Sequence, residues 1–216
     1  MTYIGKIELK MVKIEKLKPH EDVLPHLVDK LIEDVKRRGL LHPVVVDKST
    51  YVIIDGHHRV EALKRLGLEK IPALLVDYKS SIISLRRWYY VLDYDLIKCE
   101  PWSNVIEDVL CTFLRRIVRK LKPGLYEAVL KHWKHLTRIY HDDVLELYWL
   151  IHLGLRDLPF KKVPEDQYRE TMPVLVPPEL NKGIVISVAL RNKIFPPKTT
   201  RHIICVPIPE VRYRVS

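Results

Sequence analysis

The stretch YVIIDGHHRVEALKRLG, residues 51–67, changes its hydrophobic period halfway along. Tyr51-Val52-Ile53-Ile54 is β-branched and aromatic, the composition of a buried strand. Asp55-Gly56 is a turn pair, and glycine lets the backbone approach another group closely. From Arg59 to Leu66 the spacing becomes helical, with Ala62, Leu63 and Leu66 on one face, and Gly67 stands where a helix ends. The order is therefore strand, tight turn, helix. The helix start offers unpaired N–H groups and the positive end of a dipole, and His57, His58 and Arg59 add side-chain donors there. Such a junction suits a phosphate. The plainer alternative is that the two histidines only cap the helix.

The flanks extend this junction into a domain. Residues 6–14 alternate as a first strand, and Leu17-Lys18-Pro19-His20-Glu21-Asp22 is a proline-broken loop. Leu24, Leu27, Val28, Leu31, Ile32 and Val35 then mark an amphipathic helix closed by Gly39. Glu21 and Asp22 fit the acidic N-terminal turn of that helix, which is their ordinary reading. Val44–Asp47, the turn Lys48-Ser49-Thr50 and Tyr51–Ile54 form a hairpin, and Ile71–Asp77 a further strand. Residues 1–80 thus read as a β-α-β-β-α-β domain, and 81–216 as a mainly helical domain with C-terminal strands, an α+β chain overall.

In the second part, Arg86, Arg87, Trp88, Tyr89 and Tyr90 interleave cations with aromatics, which suits either base stacking or the rim of a core. Residues 103–153 read as three helices, the second from about Leu125 to Tyr140. Residues 110–140 hold eight Lys/Arg and the single acid Glu127, read here as a solvated face because no DNA-reading pattern accompanies it. The histidines at 132, 135, 141 and 152 lack metal-ligand spacing. Residues 157–181 read as a long loop, and Ile184–Leu190 as a strand. Near the end, Pro196-Pro197 is followed by Lys198, Thr199, Thr200, Arg201 and His202, a run of donors that holds a phosphate or carboxylate well. A turn alone requires none of them.

Bulk properties set the limits. The 216 residues carry a net charge of +10, which favours anionic ligands, either polyanions or small phosphorylated molecules. No apolar run is long enough to cross a bilayer and the N-terminus has no signal-peptide pattern, so a cytoplasmic protein is expected. The three cysteines are far apart, with no C-x-x-C pair, and are expected to be buried, inert thiols. The abundance of Lys, Arg and Glu beside only 7 glycines would suit a thermophile.

The run Asp55-Gly56-His57-His58-Arg59 resembles the signature of the ParB/sulfiredoxin superfamily, whose α/β domain binds a nucleotide at this junction. The loop lacks the cysteine of sulfiredoxins and the Glu-Arg-Arg of centromere-binding ParB proteins. Together with Lys18-Pro19-His20-Glu21, Trp88 and Pro196–His202, it is most similar to the archaeal ADP-dependent free L-serine kinases. That resemblance implies phosphoryl transfer from ADP, or from ATP as in related kinases, to L-serine, with Mg²⁺, giving O-phospho-L-serine for cysteine synthesis. It implies catalytic roles for Glu21, as base, and Asp55, and nucleotide binding by Gly56, His57, His58 and Arg59. Substrate binding falls to Trp88, Thr199, Thr200, Arg201 and His202. The metal ligands and the oligomeric state are left open. Nucleic acid is not the expected partner; a ParB-like nucleotide-dependent DNA-binding protein is the competing reading.

Overall fold

In the computed structural model, which describes residues 7–93, 102–132, 135–170, 173–208 and 211–212, the 51–67 stretch is a strand, a glycine turn and a helix. In chain order the first elements are β1 (Glu8–Lys13), α1 (Pro25–Arg38), β2 (Leu40–Leu41), β3 (Val44–Asp47), β4 (Ile53–Asp55), α2 (His57–Arg65) and β5 (Lys70–Val76). They are followed by β6 (Ile83–Leu92), α3 (Trp102–Ile117), β7 (Tyr126–His132), β8 (His135–His141) and α4 (Val144–Gly154). The chain finishes with β9 (Phe160–Pro164), β10 (Val174–Val176), α5 (Lys182–Leu190), β11 (Thr200–Ile204) and β12 (Val211–Arg212). It divides into two compact units, one of residues 1–85, 181–197 and 202–216 and one of 86–180 and 198–201.

The first unit is built on a four-stranded sheet of order β1-β5-β3-β4. β1 runs antiparallel to β5, β3 parallel to β5, and β4 antiparallel to β3, as expected when α2 carries the chain from a hairpin back to a parallel strand. Side chains alternate between two cores. Val44, Val46, Ile53, Ile71, Ala73 and Leu75 join Val35 of α1 and Leu63 of α2. Val45, Ile54, Leu74 and Val76 face the other way, with Tyr78, Ile83 and Val185 of α5.

Asp47, 2% exposed, fixes the β3–β4 turn. One carboxylate oxygen accepts from Ser49 Oγ (2.6 Å), Thr50 N (3.0 Å) and Thr50 Oγ1 (2.7 Å), and the other from Tyr78 N (3.0 Å). Burial works against its charge, but these hydrogen bonds outweigh it and hold the carboxyl below its ordinary pKa. α1 starts at Pro25 with no acid in its first turn, so Glu21 and Asp22 precede the helix rather than cap it.

In the second unit, β6, β10, β7 and β8 lie side by side, β9 pairs with β6, and α3 and α4 complete a core around Leu92, Phe113, Ile117, Leu130, Ile139, Leu147 and Ile151. Three sequence expectations fail. The helix expected over 125–140 is the β7–β8 hairpin, paired from Tyr126↔His141 to His132↔His135. Ala128, Leu130 and Ile139 point inward, and Tyr126, Val129, Thr137, Ile139 and Tyr140 are residue types that favour strands. The strand expected over 184–190 is the helix α5, started by the Asn181 side chain, which accepts from Ile184 N at 2.9 Å. The long loop expected over 157–181 contains β9, a short 3-10 helix Glu165–Gln167, and β10.

The basic residues of 110–140 therefore share no helical face. Arg138 is paired with Glu127, Lys122 with Glu146, and Arg116 donates to the Gly154 and Arg156 carbonyls. Cys111 and Cys205 are exposed, contrary to the expected burial, and Cys99 lies outside the described residues. Among the described residues no helix is long and apolar enough to cross a membrane.

Candidate active site

In the first unit the site starts at Gly56, the residue before α2, whose φ of +104° is open to glycine. A Cβ there would lie 2.7 Å from Val44 Cγ1, so the tight passage from β4 to α2 needs a residue without one. No side chain caps the first turn of α2. The guanidinium of Arg59 pairs with Asp55 and donates to the carbonyls of His42 (2.9 Å) and Pro43 (2.7 Å). Asp55 and Arg59 thus lock the strand end to the first helical turn, with a positive charge beside it.

Glu21 sits in a segment held on two sides. On one, it forms a parallel bridge with Phe195: Asp22 N donates to Phe195 O (2.9 Å) and Phe195 N to His20 O (2.8 Å). On the other, His20 N donates to His57 Nε2 (3.4 Å) and Leu24 N to His58 Nε2 (3.0 Å). Glu21 and Asp22 line a cavity of about 200 Å³ whose wall also includes Pro19, His57, Val60 and Lys64.

Behind Glu21 is a cluster of imidazoles. The ring of His20, fully buried, meets those of His57 and His202 edge-on, with centroids 4.5 and 5.5 Å away. His20 Nδ1 donates to the Ile53 carbonyl (2.8 Å), and Tyr78 Oη lies 2.6 Å from His202 Nε2. Burial pushes the His20 pKa down to about 4, partly offset by the bond to Ile53. His57 is driven well below 6.5 by burial and by the charges of His20, His202, His58 and Arg59. His202 falls for the same reasons, through burial, His20 and Lys182. Burial and the nearby Asp47 charge raise the Tyr78 pKa, keeping the phenol protonated. At neutral pH this is an uncharged donor–acceptor cluster, with His20 and Tyr78 buried and His57 and His202 half-buried.

The second unit contains the other predicted residues. Trp88, on β6, donates from Nε1 to Thr200 O (3.1 Å), and the cationic groups of Lys198 and Arg201 lie 5.7 and 5.6 Å from its ring centroid. Lys198 has a φ of +53°, which turns the chain after the two prolines, and Thr199 is 1% exposed. Asp166 forms an ion pair with Arg201: Nη2 donates to Oδ2 at 3.2 Å, and Oδ1 lies 2.9 Å from Nε without the direction of a hydrogen bond. Its neighbour Glu165 is fixed by Arg87 Nη2 (2.9 Å), Arg87 N (3.2 Å) and Tyr89 Oη (3.0 Å). Burial opposes the Glu165 charge, yet these donors hold its pKa below the ordinary value.

Of the residues singled out in the sequence, Glu21, Asp55, Gly56, His57, His58, Arg59 and His202 fall in the first unit, and Trp88, Thr199, Thr200 and Arg201 in the second. The reading missed His20, Tyr78, Glu165 and Asp166 as parts of these sites. His20 had a signal, its place beside Glu21 in the Pro-His-Glu run. Asp166 had only an acidic pair inside an apparent loop. Among the described residues, no three His, Cys, Asp or Glu side chains converge as a protein-only metal cage.

Residues 2–84 match the ParB N-terminal domain. A protein of Sulfolobus acidocaldarius named ParB-like protein is 32% identical over 212 residues, covering 97% of each chain. An ATP-dependent L-serine kinase of Staphylothermus marinus is 28% identical over 93% of this chain and 87% of its own. An ADP-dependent L-serine kinase of Thermococcus kodakarensis is 27% identical over 92% and 88%. Among solved structures, a free serine kinase mutant in complex with ADP shares the fold, with a TM-score of 0.73 at 20% identity, covering 98% of this chain and 94% of that one.

Proposed function

The chain belongs to the ParB-like protein family represented in Sulfolobus acidocaldarius, and on that footing we propose that it is a free L-serine kinase. It transfers the terminal phosphoryl group of a nucleotide, ADP or ATP, to the hydroxyl of L-serine. With ADP the products are O-phospho-L-serine and AMP. The observation that carries this reading is that Glu21 and His57 line one cavity, with Glu21 in a segment fixed to α2 and to Phe195. A DNA-binding protein would have no use for an acid held there.

Serine's hydroxyl is a weak nucleophile until its proton is taken in the transition state, and Glu21 accepts that proton. The serine oxygen attacks the terminal phosphorus, the bond to the leaving nucleotide breaks, and AMP departs with the electron pair. Gly56 allows the phosphates to approach the backbone, and the uncapped N–H groups of α2 hold them, in place of the His57 and His58 imidazoles, whose Nε2 atoms are taken by His20 N and Leu24 N. Arg59 adds positive charge and orients Asp55. Thr199, Thr200, Arg201 and His202 receive the phosphoryl group on serine, and Trp88 shields it from water. Asp22, on the cavity wall, and Asp55, at the end of β4, would hold a Mg²⁺ ion brought by the nucleotide, since such an ion keeps most of its waters and needs only one or two carboxylates. It would neutralise charge on the phosphate oxygens.

We assign the protein to the cytoplasm, where both substrates are abundant. The test is to follow nucleotide products by anion-exchange chromatography with and without L-serine. Serine-dependent conversion of ADP to AMP, or of ATP to ADP, supports the assignment. Turnover indifferent to serine, or none with either nucleotide, rejects it.

A further inference from the structure

We propose that His57 and His58 are positioning residues for the catalytic base: each imidazole accepts, through Nε2, a backbone N–H from the segment that presents Glu21. This deepens the kinase reading and rests on it for the role of Glu21. The clamp itself rests on geometry within the first unit.

The loop between β1 and α1 has no regular structure around Glu21, so its N–H groups need other acceptors. Asp22 N finds the Phe195 carbonyl (2.9 Å) and Val23 N finds Asp22 Oδ1 (2.8 Å). Two further bonds go to the histidine pair: His20 N, one residue before Glu21, to His57 Nε2 (3.4 Å), and Leu24 N, three residues after it, to His58 Nε2 (3.0 Å). Adjacent residues on a helix point about 100° apart, which lets one dipeptide reach both ends of one loop. A donor in this role must be met by an unprotonated nitrogen, so both rings are required neutral, with their proton on Nδ1. The first turn of α2 thereby joins the phosphate-binding end of the helix to the backbone bearing the base.

Long-range ¹⁵N–¹H correlation spectra of the wild-type protein test the clamp at pH 7.5 without reference to activity. The expected result is the neutral Nδ1–H tautomer at both His57 and His58. An Nε2–H tautomer or a charged ring at either position overturns the clamp there. Kinetics test its purpose. His58→Ala should lower kcat about 10-fold, the scale of one lost hydrogen bond, with the nucleotide Kd changed by less than about 3-fold. His58→Gln, which keeps an acceptor, should recover most of the rate. Weakened nucleotide binding with unchanged kcat in His58→Ala, or no recovery in His58→Gln, would make the residue a phosphate ligand and overturn the positioning role. If the wild-type protein makes no phosphoserine, the kinase reading fails, while the tautomer spectra still decide the clamp.

Discussion

Lowering the pH should destabilise the first unit through its histidine cluster, and the buried His20 allows the effect to be sized. In the folded protein its pKa is lowered from 6.5 to about 4. In the unfolded chain it titrates at its ordinary value. Above pH 6.5 neither state holds the proton, and His20 adds no pH dependence. As the pH falls below 6.5 the unfolded chain takes up a proton that the folded one refuses, so stability declines, and the decline ends near pH 4. The His20 share is about 2.5 kcal/mol by pH 4.5, with a slope up to about 1.4 kcal/mol per pH unit. His57 and His202 are lowered too, so the total slope is steeper. Groups facing the cluster reinforce the direction: Arg59 lies beside His57 and Lys182 acts on His202, and both cations oppose protonation.

Urea unfolding by circular dichroism at pH 7.5, 6.5, 5.5 and 4.5 would isolate this share if wild type is compared with His20→Asn. Asparagine keeps a donor for the Ile53 carbonyl and cannot titrate. The stability of wild type relative to the variant should fall by about 2.5 kcal/mol between pH 7.5 and 4.5, roughly 1 M urea in midpoint. A difference that is flat with pH, or that grows in favour of wild type, would refute the account of a buried, neutral His20.

Glu21→Ala should fold normally and lose phosphoserine formation by about 100-fold or more, the usual scale for a missing general base; a fully active variant would remove Glu21 from the mechanism. Gly56→Ala places a methyl group 2.7 Å from Val44 at a φ of +104°, so its melting temperature should fall well below that of wild type; an unchanged value would contradict the tight passage into α2. Arg201→Ala should weaken phosphoserine binding roughly 10- to 100-fold, since hydrogen bonds between charged groups contribute about 1.5–3 kcal/mol. Unchanged affinity by calorimetry would discard that contact.

The first unit was legible because local and tertiary signals agree there. The β-branched run at 52–54, the glycine at 56 and the helical spacing after it specify the same strand–turn–helix that the fold uses. The valine run 44–46 is likewise the strand its composition indicates, though only the structure shows its side chains alternating between two cores. Legibility ended where pairing and capping partners decide the element. Residues 126–141 hold no turn signal between the two strands, so they read as one continuous helix, yet their pairing in a sheet buries Ala128, Leu130 and Ile139. In 184–190 the β-branched Ile and Val mislead in the other direction, and the Asn181 cap and the buried Val185 make a helix.

The site shows the same split. Glu21 and the Asp-Gly-His-His-Arg run could be singled out by chemistry and resemblance, but the partners of those residues could not. That each histidine takes a backbone N–H from the Glu21 segment depends on the fold bringing residues 20–24 against 57–58. The grip of Asp166 on Arg201 joins residues 35 positions apart, one of them in a segment that reads as featureless loop.

Mass spectrometry of the amino-acid fraction, after incubation of the protein with Mg²⁺, L-serine and either ADP or ATP, tests the central claim most directly. The account predicts O-phospho-L-serine in proportion to the nucleotide consumed from at least one donor, and its near-disappearance with Glu21→Gln. No phosphoserine from either nucleotide, or equal amounts from wild type and Glu21→Gln, would contradict it.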